Sequence, residues 1–489
     1  MVSTALSDRW YDVVAKPRRF PFARGACFVA VLALILAGLN LYAPGSPTLA
    51  ERLLSTSTLA IAALPLWLWL SGVDRGIPFM PFFGMVYAVY YAVPFFLLKS
   101  YSREMFGAPF SDSLMTRALG VVFAGLLAAL LGYYGPQHLA VARILPKPRF
   151  CWCSLGNVKL WAMVFSLVGL PIYMLKATIT LPLALDQFAL FGGDLSSIGI
   201  CILFVLQLTS RLDRPSVVFL WSVLVPLRML LGLSTGETAQ VFGVLLMLLT
   251  AYAAVRRTMP WKMLVLGAVA LLLVRPAMTP LRALTWKGGR MYRASRVEKV
   301  KLAYTAVAQT AGGGVPYDLV FQYSLSRIAV DLMTLPEVMR DTPDHVPYWK
   351  GRSYYPLLFT AVPRFLYPNK PTAQTGQTFG HHYGLLDPMD YESSYNLAQL
   401  MELYINFSTA GVLLGMFLYG LLYRVVQDAF VHPDMGLGAV VSVVYVSVKL
   451  LNIENGAALV LGGVLWSLVF VGVVNVMMQA GELDAKPAS

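Results

Sequence analysis

The sequence predicts an all-α polytopic membrane protein with about 12 transmembrane helices and one large external loop. Of its 489 residues, 57% are hydrophobic and only 13% are charged, whereas a soluble protein usually carries about 25% charged residues. Several apolar runs of roughly 17 to 23 residues are long enough to cross a hydrocarbon core about 30 Å thick. One long polar stretch, from Arg282 to about Ser394, interrupts these runs late in the chain.

The first apolar run, at about 25–43, follows a basic N-terminal segment that contains Lys16, Arg18, Arg19 and Arg24. Because no small-residue cleavage site is convincing, we interpret this run as an uncleaved span and not as a signal peptide. The basic flank predicts a cytoplasmic N-terminus. The other predicted spans lie near 53–72, 77–98, 114–134, 158–176, 194–210, 215–233, 239–255, 261–280, 407–425, 435–451 and 457–478.

These spans divide the chain into three predicted parts. Residues 1–280 form an N-terminal bundle of about nine spans, 281–400 a large periplasmic loop with two helices, and 401–489 a C-terminal group of about three spans. Cations in the short loops at 143–149, 211–214 and 256–262 agree with the positive-inside rule on this topology. The span near 194–210 is short, and a re-entrant segment there would instead turn the large loop toward the cytoplasm.

Two helices and an irregular region are predicted within the large loop. Ser295 and Glu298 have the spacing of a capping box, which predicts a helix over about 295–310. A second helix is predicted from about 316 to 334, ending near Pro336. Residues 345–395 are rich in Pro, Gly, Tyr and Asn, which predicts irregular backbone.

The large loop is basic, with 13 Lys and Arg residues against nine Asp and Glu residues between positions 282 and 394. A guanidinium group matches phosphate oxygens in a bidentate fork, so converging arginines at a membrane face indicate a phosphate or diphosphate site. The alternative is ordinary pairing with carboxylates or lipid headgroups, such as Arg327 with Asp331 one turn on. The candidates in the loop are Arg282, Arg290, Arg327, Arg364 and Lys370.

Arg228 and Arg275 lie inside hydrophobic runs, toward the predicted outer ends of their spans. An intramembrane arginine is costly and needs a partner or a wet cavity, so both are further diphosphate-binding candidates. Snorkelling of the side chain to the interface is the alternative, and the sequence favours neither.

Glu402 is the first candidate for a catalytic base, because it precedes the tenth predicted span and helical spacing places it on one face with Asn406. Its alternative role is a salt-bridged or helix-end carboxylate. His381 and His382 are the second candidates, either as a base or as an orienting donor. Both have the alternative of an exposed or hydrogen-bonded position in the loop.

The chain contains none of the common nucleotide-binding or metal-binding motifs, such as G-x-x-x-x-G-K or H-E-x-x-H. No D-x-D stands in the first predicted outside loop. Its four cysteines are expected to be reduced thiols, and the C-x-C of Cys151 and Cys153 is too small to complete a zinc shell. The sequence therefore predicts a reaction without a cofactor or a bound metal, and no nucleic-acid partner.

A more specific pattern begins at PRFLYPNKP, residues 363–371. Together with Gly376, Phe379, the E-x-Y-x-N-F of residues 402–407, and Gly411 and Gly415, this run resembles the bacterial oligosaccharide repeat-unit polymerases, the Wzy-type O-antigen polymerases. Arg327 matches a position where that family often has an arginine. Met401 and Ser408 depart from it, because they stand where the family tends to have glycine.

The resemblance implies a GT-C-like glycosyltransferase of the bacterial inner membrane, with its active site facing the periplasm or cell exterior. It implies a donor glycan on undecaprenyl diphosphate and a lipid-linked repeat unit as acceptor, in contact with membrane lipids and working with a chain-length regulator and a flippase. Arginines would stabilise the diphosphate leaving group, and Glu402 or a histidine would take the acceptor proton. The candidate sugar-binding residues are Tyr354, Tyr355, Tyr383, Tyr404 and Asn406.

Three other functions stay open on the sequence. An O-antigen ligase-like enzyme would share the fold and donor but move the finished glycan to another acceptor. A flippase or transporter is suggested by the span count, although we find no similarity between two halves of the chain. A noncatalytic partner in polysaccharide assembly is the third.

Overall fold

The architecture is described here from a computed structural model of the full chain. The described residues are 10–15, 22–42, 47–97, 111–136, 140–141, 143–152, 154–178, 183–234, 238–267, 269, 298, 301–302, 304–305, 308–309, 312, 317–362, 366–372, 375–390 and 394–483. Within the helices, the side chains at 15, 22–24, 175–191, 233–239, 317–324, 326–327 and 480–483 are outside the description.

Helices account for all the regular elements in the described part of the chain. They are α1 (Trp10–Ala15), α2 (Phe22–Tyr42), α3 (Leu49–Leu70), α4 (Phe79–Tyr91), α5 (Asp112–Tyr134), α6 (Leu155–Thr178), α7 (Leu183–Leu208), α8 (Arg214–Phe219, a π-helical turn at Leu220–Leu224, and Val225–Ser234), α9 (Thr238–Arg256), α10 (Tyr317–Asp341), a 3₁₀ helix (Arg352–Phe359), α11 (Gly376–His382), α12 (Gln399–Phe430), α13 (Leu437–Leu450) and α14 (Ala457–Leu483).

Eight of the described helices are long and apolar enough to cross a membrane by length and composition, and three shorter apolar helices accompany them. The prediction of an all-α protein with several membrane-spanning helices is therefore confirmed at this level. The ninth predicted span, at 261–280, lies largely outside the described residues. The count of twelve and the orientation of the bundle stay predictions.

Helix α7 begins earlier than the sequence predicted, at Leu183 and not near 194. Its 26 residues extend over about 39 Å at 1.5 Å per residue, which is enough for one crossing. Polar residues near its start lower the hydropathy of this stretch without ending the helix. Gly193 lets α7 approach α6 closely, since a Cβ there would lie 2.8 Å from the Tyr173 ring.

Helices α5 and α12 pack together at the centre of the bundle. Gly132 and Gly420 face the partner backbone, and a Cβ at either position would overlap a main-chain carbonyl of the other helix. Small residues allow such close approach between membrane helices, which gain little from the hydrophobic effect when they associate.

Helix α10, the second predicted loop helix, is present but does not end near Pro336; it continues to Asp341. The buried side chains of Leu335, Val338 and Met339 anchor its last turns, because burial offsets the hydrogen bond that the proline removes. The region predicted as irregular contains two short helical elements, the 3₁₀ helix and α11. Ser295 of the predicted capping box lies outside the described residues.

A buried carboxylate, Asp74, lies in the turn between α3 and α4, where Tyr134 donates to it at 3.2 Å. Arg424 is 3.8 Å away and lies closer to Asp428, at 3.0 Å. Burial raises the pKa of Asp74 to about 6, and Arg424, the Tyr134 hydrogen bond and Arg257 offset the burial only in part. The proton is therefore held more tightly in the folded state than in the unfolded chain.

This raised pKa predicts that stability falls as the pH rises from about 4, where the unfolded carboxyl releases its proton, to about 6. Asp74→Asn keeps the shape without the charge. At pH 7.5 it should unfold at a higher temperature than the wild type, by about 1 to 3 kcal/mol of stability, and the difference should vanish near pH 4. Thermal unfolding of the purified protein across this range measures it. A less stable variant at pH 7.5 would mean that Arg424 stabilises the carboxylate more than burial penalises it.

Candidate functional site

The side chain of Glu402 lies in the first half of α12 and is 1% exposed. Its Oε2 accepts a hydrogen bond of 2.5 Å from the backbone N–H of Ala457, the first residue of α14. The carboxylate thus satisfies a free amide at a helix N-terminus, where the helix dipole favours negative charge. Its Oε1 has no hydrogen-bond partner in the part of the chain that the structure describes. One oxygen is anchored, and the other is buried without a hydrogen-bond partner among the described residues.

Gly456 allows this contact between the carboxylate and α14. A Cβ at position 456 would lie 3.1 to 3.2 Å from the carboxyl atoms of Glu402. That separation is tighter than ordinary van der Waals contact, so any larger residue would displace the carboxylate. Glycine at this position therefore helps to fix the orientation of Glu402.

Asn406, one helical turn after Glu402, ties α12 to the segment that precedes the 3₁₀ helix. Its Oδ1 accepts from the backbone N–H of Gly351 at 2.7 Å, and its Nδ2 donates to Ser353 Oγ at 2.9 Å and to the Glu402 carbonyl at 2.7 Å. Ser353 also faces the Glu402 carboxyl group. The predicted common face of Glu402 and Asn406 is confirmed, and Asn406 is 1% exposed.

Helix α12 is broken directly after Asn406. Phe407 (φ −143°, ψ 20°) and Ser408 (φ 61°, ψ −163°) are not helical. The Ile405 carbonyl accepts a hydrogen bond of 2.9 Å from the Trp349 backbone N–H, which brings a second segment to the break. Phe407 stacks on Tyr354 with ring centroids 6.2 Å apart. Irregular backbone at membrane depth is tolerated where protein contacts satisfy it.

The backbone of Ser408 occupies a region that is almost restricted to glycine. Ser408→Gly should therefore stabilise the protein by about 1 kcal/mol, since relief of strain exceeds the added entropy of the unfolded chain. The measurement is the thermal-unfolding midpoint of the purified protein. Ser408→Ala is the matched control, because it removes the hydroxyl but keeps the Cβ and so should bring no gain. Equal midpoints for the two variants would contradict the explanation.

Four tyrosines were predicted to contact sugar, and the structure places them differently. Tyr354 adjoins Glu402, and burial, reinforced by that carboxylate, raises its pKa well above the usual value, so it stays a hydrogen-bond donor. Tyr355 is exposed. Tyr383 is buried against Thr342, with their hydroxyl oxygens 2.5 Å apart, and burial raises its pKa to about 12. Tyr404 is buried close to Tyr348.

The two histidines lie at the end of α11, away from the hydrogen bonds of Glu402. His381 Nε2 donates to the Asp390 carbonyl at 2.9 Å, which occupies that nitrogen. His382 is exposed and packs edge-on against Trp349, with ring centroids 5.6 Å apart. His382 therefore contacts Trp349, whose backbone N–H bonds to the Ile405 carbonyl at the break in α12.

The predicted phosphate-binding cations are divided between described and undescribed parts of the chain. Arg282, Arg290, Arg275 and Arg364 lie outside the described residues, as does the side chain of Arg327. Lys370 donates to the Val362 carbonyl at 2.9 Å, close to the 3₁₀ helix. Arg228 is buried among α6, α8 and α9, where its contacts are with Tyr173 and Gln240.

Sequence reasoning missed the residues that hold Glu402 and Asn406 in place. These are Trp349, Gly351, Ser353, Gly456 and Ala457. Only the glycines carried a signal, since a glycine next to a predicted helix start or turn often marks a close approach. The partners themselves are about 50 residues away from Glu402 in either direction and follow no sequence period.

A family model described as a domain of unknown function, DUF8712, matches residues 150–483. The chain belongs to the DUF8712 family. No curated protein and no solved structure matched the chain. The DUF8712 region begins just before α6 and includes Glu402, Asn406, Gly456 and Arg228, whereas α1–α5 precede it. In this member of DUF8712, α5 nevertheless packs against α12, so a helix outside the matched region supports the one that carries Glu402.

Proposed function

We propose that this protein is a membrane glycosyltransferase that polymerises undecaprenyl-diphosphate-linked oligosaccharide repeat units into a surface polysaccharide. The observation that carries the proposal is the state of Glu402: it is buried, held by one oxygen at the start of α14, and has its other oxygen unpartnered among the described residues. It lies in the E-x-Y-x-N-F run that resembles the Wzy-type polymerases. The break in α12 beside it brings the segment that contains Trp349 and Gly351 next to this part of the helix.

Glu402 would act as general base toward the acceptor repeat unit. Its Oε1 takes the proton of an acceptor hydroxyl, whose oxygen forms the new bond to the anomeric carbon of the donor glycan. The bond from that carbon to the lipid diphosphate breaks, and its electron pair leaves with the diphosphate. Tyr354 and Ser353, both beside the carboxyl group, would orient the acceptor by hydrogen bonds.

The departing diphosphate carries at least two negative charges, which cationic side chains would stabilise without a metal. Arg364, Arg327 and Arg290 are the first candidates by sequence, with Arg282, Arg275 and Lys370 as further ones. The GT-C-like architecture of 12 spans, the periplasm-facing site at the inner membrane, and cooperation with a flippase and a chain-length regulator belong to the same proposal.

The decisive experiment measures the length of undecaprenyl-linked glycans in cells with and without this protein. For a polymerase, single repeat units should accumulate on the outer leaflet in its absence, and long chains should return with it. Long lipid-linked chains that persist in its absence would reject the proposal and favour ligation to another acceptor.

The broken helix α12 also favours a second candidate, a transporter or flippase, because discontinuous helices form the substrate sites of many transporters. The same cells separate the two. Loss of a flippase should trap single units on the inner leaflet, where a membrane-impermeant oxidant such as periodate cannot reach them. Loss of a polymerase leaves them on the outer leaflet and open to oxidation.

A further inference from the structure

Arg228 is a buried cation without a carboxylate partner in the described part of the chain. Its side chain is 4% exposed, its guanidinium carbon lies 4.2 Å from the centre of the Tyr173 ring, and its Nη2 is 3.5 Å from Gln240 Oε1. Its Nε and Nη1 have no hydrogen-bond partner among the residues that the structure describes. A buried charge in this condition is costly, because neither contact replaces the two N–H···O bonds that water would supply.

The depth of Arg228 in the bundle fits the headgroup region of a membrane. It lies four residues before the end of the candidate span Arg214–Gly232, which is about 6 Å along the helix. Leu227 and Leu230 beside it are 40% and 44% exposed, so α8 is at the periphery. Arg228 is therefore on a helix whose other face is exposed at the surface of the bundle.

The charged groups that the structure describes near Arg228 leave this region positive. Lys449, next to last in α13, binds Asp194 at 2.9 Å. Tyr445 lies between the two cations, with the Lys449 ammonium 5.3 Å from its ring and Arg228 close enough to interact with it electrostatically. Counted over the described residues alone, two cations and one carboxylate give a net charge of +1, and Lys449 binds the carboxylate.

We propose that Arg228 forms a separate anion site that takes a phosphate group in the headgroup layer. The free Nε–H and one Nη–H are the two parallel donors that bind phosphate oxygens in bidentate fashion. The Tyr173 ring contacts the guanidinium group, whereas the Nε and Nη1 donors are buried without a partner among the described residues. The phosphate comes either from a lipid headgroup or from a free phosphate compound. This site does not depend on the proposed glycosyl transfer.

Binding to the full-length protein in maltoside micelles tests the site. The probes are phosphatidylglycerol, inorganic diphosphate, and diacylglycerol as a lipid without phosphate. We expect phosphatidylglycerol to raise the thermal-unfolding midpoint of the wild type and to be retained in native mass spectra, and diacylglycerol to do neither. Arg228→Gln should weaken binding about tenfold or more, whereas Arg214→Gln, an exposed arginine at the other end of the same helix, should not.

The outcomes separate the sources of the phosphate. Binding of phosphatidylglycerol alone identifies a lipid headgroup, and binding of inorganic diphosphate as well identifies a site for free anions. No shift with either probe, or equal shifts in wild type and Arg228→Gln, would overturn the proposal. If Arg228→Gln fails to fold, Arg228→Lys, which keeps the charge without the fork, should bind more weakly than wild type. Glu402→Gln should bind as wild type does, so the result is independent of catalysis.

Discussion

Glu402→Gln should abolish glycan elongation while leaving the protein folded. The amide oxygen of glutamine can still accept the hydrogen bond from Ala457, but the side chain can no longer take a proton from an acceptor hydroxyl. Loss of a general base costs about 10²- to 10⁴-fold in rate. The measurement is the length distribution of undecaprenyl-linked glycans in cells that carry the variant as their sole copy, with the level of membrane-inserted protein determined in parallel.

Glu51→Gln is the matched control for this variant. Glu51 is also fully buried, and it closes the capping box at the start of α3 by accepting from the Thr48 backbone N–H at 2.8 Å. It has no part in the pattern that resembles the polymerases. Wild-type chains in Glu51→Gln and single units in Glu402→Gln would assign catalysis to Glu402. Wild-type chains in both variants would mean that Glu402 only caps the start of α14. That is the helix-end role that the sequence left open as an alternative.

The helices of the bundle were predictable because long apolar runs carry their own signal. The start of α12 was harder to predict. The sequence predicted a span at 407–425, whereas the helix begins at Gln399. Residues 399–406 are polar enough to fall below a hydropathy threshold, yet all of them are buried in protein. Burial against other helices, which hydropathy cannot distinguish from exposure to lipid, determines this part of the structure.

The break after Asn406 could not be predicted from residue types. It contains neither proline nor glycine, the usual causes of a sharp change of direction. The contact that accompanies it, between Trp349 and the Ile405 carbonyl, joins segments more than 50 residues apart. The one sequence clue was Ser408, a position where the resemblance to the Wzy-type polymerases predicts glycine, and its backbone has a glycine-type conformation. That clue becomes meaningful only once the backbone is known.

The prediction that Glu402 and Asn406 share one helix face was correct, because it depends only on local helical geometry. The hydrogen-bond partners of the two side chains depend on how three distant segments meet. The arginines illustrate the same difference: their type and number indicate an anion, but no sequence period states which of them converge. For Arg228, the sequence left two roles equally open, a site with a partner or a wet cavity and snorkelling to the interface; the structure gives a buried side chain against Tyr173.

Asn406→Ala should both destabilise the protein and release the segment before the 3₁₀ helix. The substitution removes three hydrogen bonds and leaves the Gly351 N–H without its acceptor. Unsatisfied buried groups of this kind cost about 1 to 3 kcal/mol each, so a total loss of about 2 to 4 kcal/mol is expected. Elongation should fail as well, because Ser353 and Tyr354 would no longer be held beside Glu402. Hydrogen exchange at residues 349–353 and the unfolding midpoint measure the two effects.

Asn475→Ala separates a local effect from general destabilisation. Asn475 is equally buried, and its Nδ2 donates to the Val471 carbonyl at 2.8 Å and to Ser442 Oγ at 3.2 Å, between α13 and α14. It should lower the unfolding midpoint but leave exchange at 349–353 and glycan length unchanged. If Asn475→Ala accelerates exchange at 349–353 as much as Asn406→Ala does, the segment is held by the bundle as a whole. If only Asn406→Ala accelerates exchange at 349–353, the Asn406 amide alone holds that segment against α12.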